Sequence, residues 1–245
     1  MSLLSTNYQI MSGHSKWSTI KHKKGVADAK RSKVFSRITK AIMVAVQNGG
    51  SDPEMNSALK LAISQAKKAN MPKDNIERAI KKGSGDNGTK IEEITYEGMG
   101  PGGAMMIITC ATDNTNRALT EVKTVLKKNN GKFVPNGSIS FQFDFVGYIS
   151  IVPKDVETAE LTAIEAGAED VFLEKSSLII ITKPTNLHST LKEIESEAES
   201  INEARLIYNP TQQITLSGTD KDNYDTLFET LEDLDDVVEI FDNVT

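Results

Sequence analysis

The sequence predicts an α+β protein, with a helical amino-terminal domain followed by two α+β sheet domains, one inserted into the other. Three observations carry that expectation. Apolar residues recur at helical spacing through the first third. Strand and helix patterns alternate through the rest. Charge divides sharply between the two parts: residues 1–90 hold 17 Lys and Arg against 6 Asp and Glu, and residues 91–245 hold 11 against 28. The first part is therefore +11 and the second −17 in a chain of formal net charge −6. The expected divisions are a flexible leader at 1–11, a basic helical domain at 12–83, a discontinuous α+β domain at 84–136 and 205–245, and an inserted α+β domain at 137–204.

The leader, MSLLSTNYQI, lacks a basic start and a sustained apolar stretch, so it reads as a mobile segment before a second start at Met11. A first helix is expected from Lys24 to Gln47, because Val34, Ile38, Ile42 and Val46 recur every four residues, Phe35 joins them, and Gly49-Gly50 stops the run. A second begins at Ser51-Asp52-Pro53-Glu54, with Met55, Leu59, Ile63 and Ala66 inward and Lys67-Lys68 at its end. A third runs from Pro72 to Lys82 and stops at Gly83, with Ile76 and Ile80 inward. GSGDNGTK is a polar connector.

Strands at Ile91–Glu97 and Ala104–Thr112 flank the turn GMGPGG, and a helix follows from Asn116 to Lys128. Alternation in Ile139, Phe141, Phe143 and Phe145, continued by Ile149 and Ile151, predicts a long strand. Next come a helix (Val156–Ala166), strands (Val171–Glu174, Leu178–Thr182), a helix (Leu187–Glu199), a strand (Arg205–Tyr208, on to Leu216), a helix (Asp222–Leu234) and a strand (Val237–Phe241). The strand-strand-helix unit at 91–130 finds a matching second half only at 212–242, hence the insertion.

Between Ser12 and Lys40 the chain carries nine Lys or Arg and a single acid, Asp28. Such a segment suits a polyanion held through its phosphates. Lys30, Lys33, Arg37 and Lys40 fall within an arc of roughly 80° on the first helix, away from its apolar stripe. Lys73, Arg78, Lys81 and Lys82 sit outward on the third helix as supporting cations, and Trp17, His14 and His22 lie within the basic block. Trp17 can stack on a base or pack the loop. No helix rich in Asn, Gln and Arg supports base-specific reading.

Other chemistries find little support. Gly98, Gly100 and Gly103 spell GxGxxG, but a strand follows where a pyrophosphate needs a helix amino terminus, so the glycines read as a turn. Cys110 lies in an apolar strand and reads as inert core; a single cysteine leaves no internal disulfide and suits a reducing compartment. His14 and His22 lack companions for a metal site, His188 begins a helix whose sequence offers no evident acid-base team, and the acids from Glu229 to Asp242 lack calcium-loop spacing. Those acids read as a solvated helix face or a surface for a basic partner. No catalytic residue, metal site or cofactor is expected, and the chain reads as no enzyme. No apolar run approaches the roughly 18 residues that span a bilayer, so no membrane partner is expected and the location is read as cytoplasmic.

MSGHSKWSTIKHKKGVADAKRSKVFSRITK from Met11, NMPKDNIERAIKKG at 70–83, YEGMGPGGAMMI at 96–107, TDNTNRALTEVK at 112–123 and GSISFQF at 137–143 together resemble the YebC/PmpR family. The family's mitochondrial relative activates translation of a cytochrome oxidase subunit. The resemblance runs from Met11 nearly to the end, and the GHSKW and KHKK blocks are its most specific part. The leader and NNGKFVPNG at 129–137 depart from the usual pattern. The resemblance implies a helical domain and two α+β domains, the middle one discontinuous, and a cytoplasmic regulator of gene expression, generally labelled a probable transcriptional regulatory protein that binds DNA. Some members look like ribosome-associated factors that aid synthesis through difficult sequences such as proline runs. By match to the family's basic block, binding roles fall to Lys16, Lys21, Lys23, Lys24, Lys30, Arg31, Lys33, Arg37 and Lys40. Two readings stand: a regulator that grips DNA, and a translation factor that docks on ribosomal RNA and the ribosome. The sequence gives no oligomeric state.

Overall fold

A computed structural model describes residues 27–85 and 90–245, without the side chains of residues 27–31 and 57. The expected leader lies outside the described residues. Three helices come first: α1 (Ala27–Gly49), α2 (Ser57–Lys68) and α3 (Lys73–Gly83). Ile42, Ala45 and Val46 of α1 meet Leu59, Ala62 and Ala66 of α2 and Ile76 and Ala79 of α3, with Met71 from the linking turn. Phe35, Ile38, Ile63 and Ile80 line the margin of this core. Helix α3 lies so near α1 that a Cβ on Gly83 would stand 2.9 Å from the Val46 Cβ, which explains a glycine there.

Helix α2 starts later than the sequence suggests. Asp52 instead closes a local turn, its carboxylate accepting from the Glu54 N–H at 2.9 Å. Met55 is left 84% exposed, not buried as its spacing implies. The true cap is Asn56, whose Oδ1 accepts from the Leu59 N–H at 3.0 Å. Its Nδ2 donates to the carbonyls of Ala45 and Gly50, 2.8 Å each, so one side chain starts α2 and secures the end of α1.

In chain order the remaining elements are β1 (Glu92–Met99), β2 (Met105–Thr112), α4 (Thr115–Lys128), β3 (Lys132–Val134), β4 (Phe143–Pro153), α5 (Val156–Glu165), β5 (Asp170–Glu174), β6 (Ser177–Thr182), α6 (Leu187–Ile194), β7 (Ala198–Pro210), α7 (Gly218–Glu232) and β8 (Val237–Asp242). They build two four-stranded antiparallel sheets, ordered β3-β1-β2-β8 and β5-β6-β4-β7. The chain leaves the first sheet after β3, completes the second, and returns with α7 and β8. This is the α+β architecture with one sheet inserted in the other. The molecule divides into a unit at 143–211 and a second unit that holds the helices α1–α3 and the first sheet.

In the first sheet Met106, Ile108 and Cys110 alternate toward α4 and α7, where Val122, Leu126, Tyr224, Leu227 and Leu231 complete the core. The glycine loop is the expected turn between β1 and β2: Gly102 and Gly103 have φ of 65° and 83°. In the inserted unit β4 and β6 are buried along most of their lengths. Gly147 on β4 faces Thr182, where an added Cβ would lie 2.3 Å from the Thr182 Oγ1.

Two expectations are corrected here. Strand β7 pairs with β4 from Phe143 opposite Pro210 to Pro153 opposite Ala198. Residues 205–210 therefore belong to the inserted sheet, not to the discontinuous domain, and the helix expected to reach Glu199 ends at Ile194. The ladder with a long, buried partner strand outweighs the local helical pattern. The second correction concerns residues 139–142. Ser140–Gln142 form a 3-10 turn and Phe141 is 71% exposed, so the strand starts only at Phe143. The cause is Glu97 of β1, 4% exposed, whose carboxylate accepts from the amides of Gly137 at 2.6 Å and Ile139 at 2.7 Å. Those amides are thereby withdrawn from any ladder.

Candidate nucleic-acid interface

Three residues of the basic row of α1 pair with the acidic part of the chain. Lys33, Arg37 and Lys40, one face of the helix by their spacing, meet the end of α7 and the turn into β8. Lys33 pairs with Asp233. Arg37 places Nη1 at 3.2 Å from the Glu232 Oε1 and Nη2 at 2.9 Å from the Glu232 carbonyl. Lys40 donates to the Asp235 carbonyl and to Asp236 Oδ1, the latter at 2.8 Å. The side of α1 away from its apolar stripe thus meets, at these three residues, the acidic part of the chain. The end of α7 combines carboxylates with the negative end of the helix dipole, a pole that attracts cations from α1, and the Glu232 carbonyl there accepts from Arg37.

These pairs differ in depth. The Lys33 and Asp233 side chains are 40% and 68% exposed, the range in which an ion pair contributes about 0–1 kcal/mol. Lys40 and Asp236 are 15% and 6% exposed. Asp236 also accepts at Oδ2 from Thr112 Oγ1 and from Arg117 Nη2, both at 2.8 Å. Burial alone would push this carboxyl up; hydrogen bonds from Lys40, Arg117 and Thr112 hold it below the ordinary aspartate value. Its carbonyl takes the Ala111 N–H at 2.9 Å. Asn114 caps α4 by accepting from the Arg117 N–H, which aims Arg117 from the first turn. Lys40 thus ties the helical part to the sheet. Of the acids from Glu229 to Asp242, read as a solvated face or a surface for a basic partner, Glu232, Asp233 and Asp236 meet cations of α1 in the same chain.

Of the other expected site residues, His14, Lys16, Trp17, Lys21, His22, Lys23 and Lys24 lie outside the described residues, and Lys30 and Arg31 are placed on α1 by backbone alone. On α3, Lys73, Arg78, Lys81 and Lys82 are exposed. Lys73 lies 3.5 Å from Glu77 in an exposed pair, and Arg78 folds back to the Asp74 carbonyl at 3.2 Å and to Asn75. Cys110 is fully buried, and burial, then the nearby Asp236 charge, push its thiol up to about 12, far from a nucleophile's range. Among the described residues no cluster of His, Cys, Asp and Glu could hold a metal ion, and no helix is long and apolar enough to cross a membrane.

Helices with a basic row, packed on one α+β sheet that carries a second sheet as an insertion, define an α+β protein with separated charge. The chain belongs to the TACO1/YebC family: residues 15–86 match its N-terminal domain and residues 91–244 its second and third domain. A probable transcriptional regulatory protein of Caldanaerobacter subterraneus subsp. tengcongensis is 43% identical over 96% of this chain and 98% of its own length. Another from Geobacter sulfurreducens is 45% identical over 95% of each. The crystal structure of a conserved hypothetical protein from Aquifex aeolicus superposes with a TM-score of 0.78 at 40% identity, covering 94% of this chain and 96% of that one. Its α+β fold is shared, and the names of the curated relatives place the family among regulators.

Proposed function

We propose that this protein regulates gene expression in the cytoplasm by binding DNA through the phosphates, with the basic block of its helical domain as the gripping surface. The observation that carries the reading is the block between Ser12 and Lys40, nine cations with one acid in an acidic chain. Lys16, Lys21, Lys23, Lys24, Lys30 and Arg31 supply the primary contacts, and Lys73, Arg78, Lys81 and Lys82 extend them. Lys33, in an exposed pair, joins by exchanging Asp233 for phosphate at low cost, and Arg37 joins by leaving the half-buried Glu232 carboxylate. Lys40 stays with Asp236. The reading involves no cofactor and no catalysis.

Changing Lys21, Lys23 and Lys24 together to Gln should lower affinity for duplex DNA at least tenfold at low salt; unchanged affinity removes the reading. A second reading, a translation factor docked on ribosomal RNA, is favoured by the same separation of charge, since a ribosome offers both signs. Sedimentation with ribosomes through a salt series, set beside retention on promoter DNA, decides between them. Binding to DNA without co-sedimentation excludes the ribosome.

A further inference from the structure

Residues 91–245 hold 28 acids, yet from Val122 to Phe143 there is none, and the same stretch carries Lys123, Lys127, Lys128 and Lys132. An acid-free run of this length in so acidic a part of the chain is a local reversal of sign. The fold turns it into a surface. Lys123 and Lys127 stand one turn apart on α4, Lys128 is at its end, and Lys132 opens β3, the edge strand that packs beside that helix. All four side chains are exposed. Asn130, with φ of 58°, makes the tight turn between them.

Neighbouring groups leave this charge unneutralised. None of the four lysines joins an ion pair among the described residues, whereas Lys33, Arg37, Lys40, Arg117, Arg205 and Lys221 all do. Lys123 instead lies over the Phe133 ring, 4.7 Å from its centre, a contact that positions the amine without cancelling its charge. Thr120 and Thr124 turn their hydroxyls to carbonyls of their own helix, and Glu121, the one carboxylate of α4, precedes the lysines and forms no ion pair with them. Glu97, which β1 brings opposite Val134, is buried, and its charge is taken up by the Gly137 and Ile139 amides.

We infer that the α4–β3 face is a second nucleic-acid contact, holding the sugar-phosphate backbone through Lys123, Lys127, Lys128 and Lys132. It rests on the reading of the protein as a nucleic-acid binder and adds a contact on the sheet domain to that of the helices. Four point charges without amide or guanidinium forks suit backbone and not base edges, so this contact tracks phosphates irrespective of sequence.

The test is fluorescence anisotropy with the full chain, a labelled DNA duplex and an RNA hairpin, each over a salt series. Replacing all four lysines by Gln should lower affinity roughly tenfold or more and make the log-log salt slope shallower by about three, with thermal unfolding unchanged. The four-Arg version should retain binding, which a merely structural role for the lysines does not require. If the Gln variant binds both probes with wild-type affinity and slope, the second contact is refuted. In that case the helical-domain reading still stands where the variant with Lys21, Lys23 and Lys24 changed to Gln loses binding. A wild-type chain that binds neither probe refutes both.

Discussion

Asp236 sits where α1, β2 and α4 converge, and removing its carboxylate leaves Lys40 partly buried without a counter-charge. Asp236→Ala should cost about 3 kcal/mol in urea unfolding; a loss under 1 kcal/mol would show that the hub carries little. Acid should act through the same groups. Glu97 is pushed up by burial but held low overall by the Gly137, Ile139 and Ser140 hydrogen bonds, and Asp236 is held low as well. A carboxyl whose folded value is depressed adds stability that is full above its unfolded value, 4.5 for Glu and 3.8 for Asp, and is lost as pH falls through the folded value. Glu97→Gln should therefore lower stability at neutral pH and flatten its decline below pH 4.5. An unchanged acid profile, measured by circular dichroism, contradicts that role. Cys110 was legible as inert core from its apolar strand alone. Asp236 was not: nothing local separates it from Glu232, Asp233 and Asp235, and the partner that selects it lies 196 residues away.

Among the elements, the helices were legible where apolar spacing is long and regular, as in α1 and α3, and obscured where a side chain had two local uses. Asp52 could cap α2 or close a turn, and it closes the turn because Asn56 both caps α2 and bonds α1. Asn56→Ala removes three hydrogen bonds and should cost about 2 kcal/mol, read as a lower melting temperature. No change would place the cap elsewhere. Strand β7 was half hidden because its first residues follow a helical pattern and only pairing with β4 makes them strand. That pairing is also where the inserted unit is most sensitive. Gly147→Ala pushes a methyl against Thr182 and Leu187 and should destabilise this unit by about 1–3 kcal/mol. Limited proteolysis should then cut within 143–211 before the rest of the chain; uniform resistance argues against so tight an approach.

For the whole molecule, the separation of charge was plain in the sequence, and its consequence in space was not. Sums over each part hide two facts: acids at 232–236 fold back onto the basic row of α1, and a positive run at 122–143 interrupts the acidic part. Opposite poles of one chain attract each other as readily as they attract partners, so part of the basic row is spent internally. Glu232→Gln with Asp233→Asn should release Lys33 and Arg37 and raise nucleic-acid affinity several-fold; equal or weaker binding shows those cations make no phosphate contact. The central claim, that this protein holds nucleic acid through its phosphates, is tested most directly by the salt dependence of binding to duplex DNA by the unmodified chain. With about six phosphates neutralised by the helical domain alone, log affinity should fall with log salt at a slope of about −5 or steeper. A slope near zero, or no binding at low salt, would contradict it.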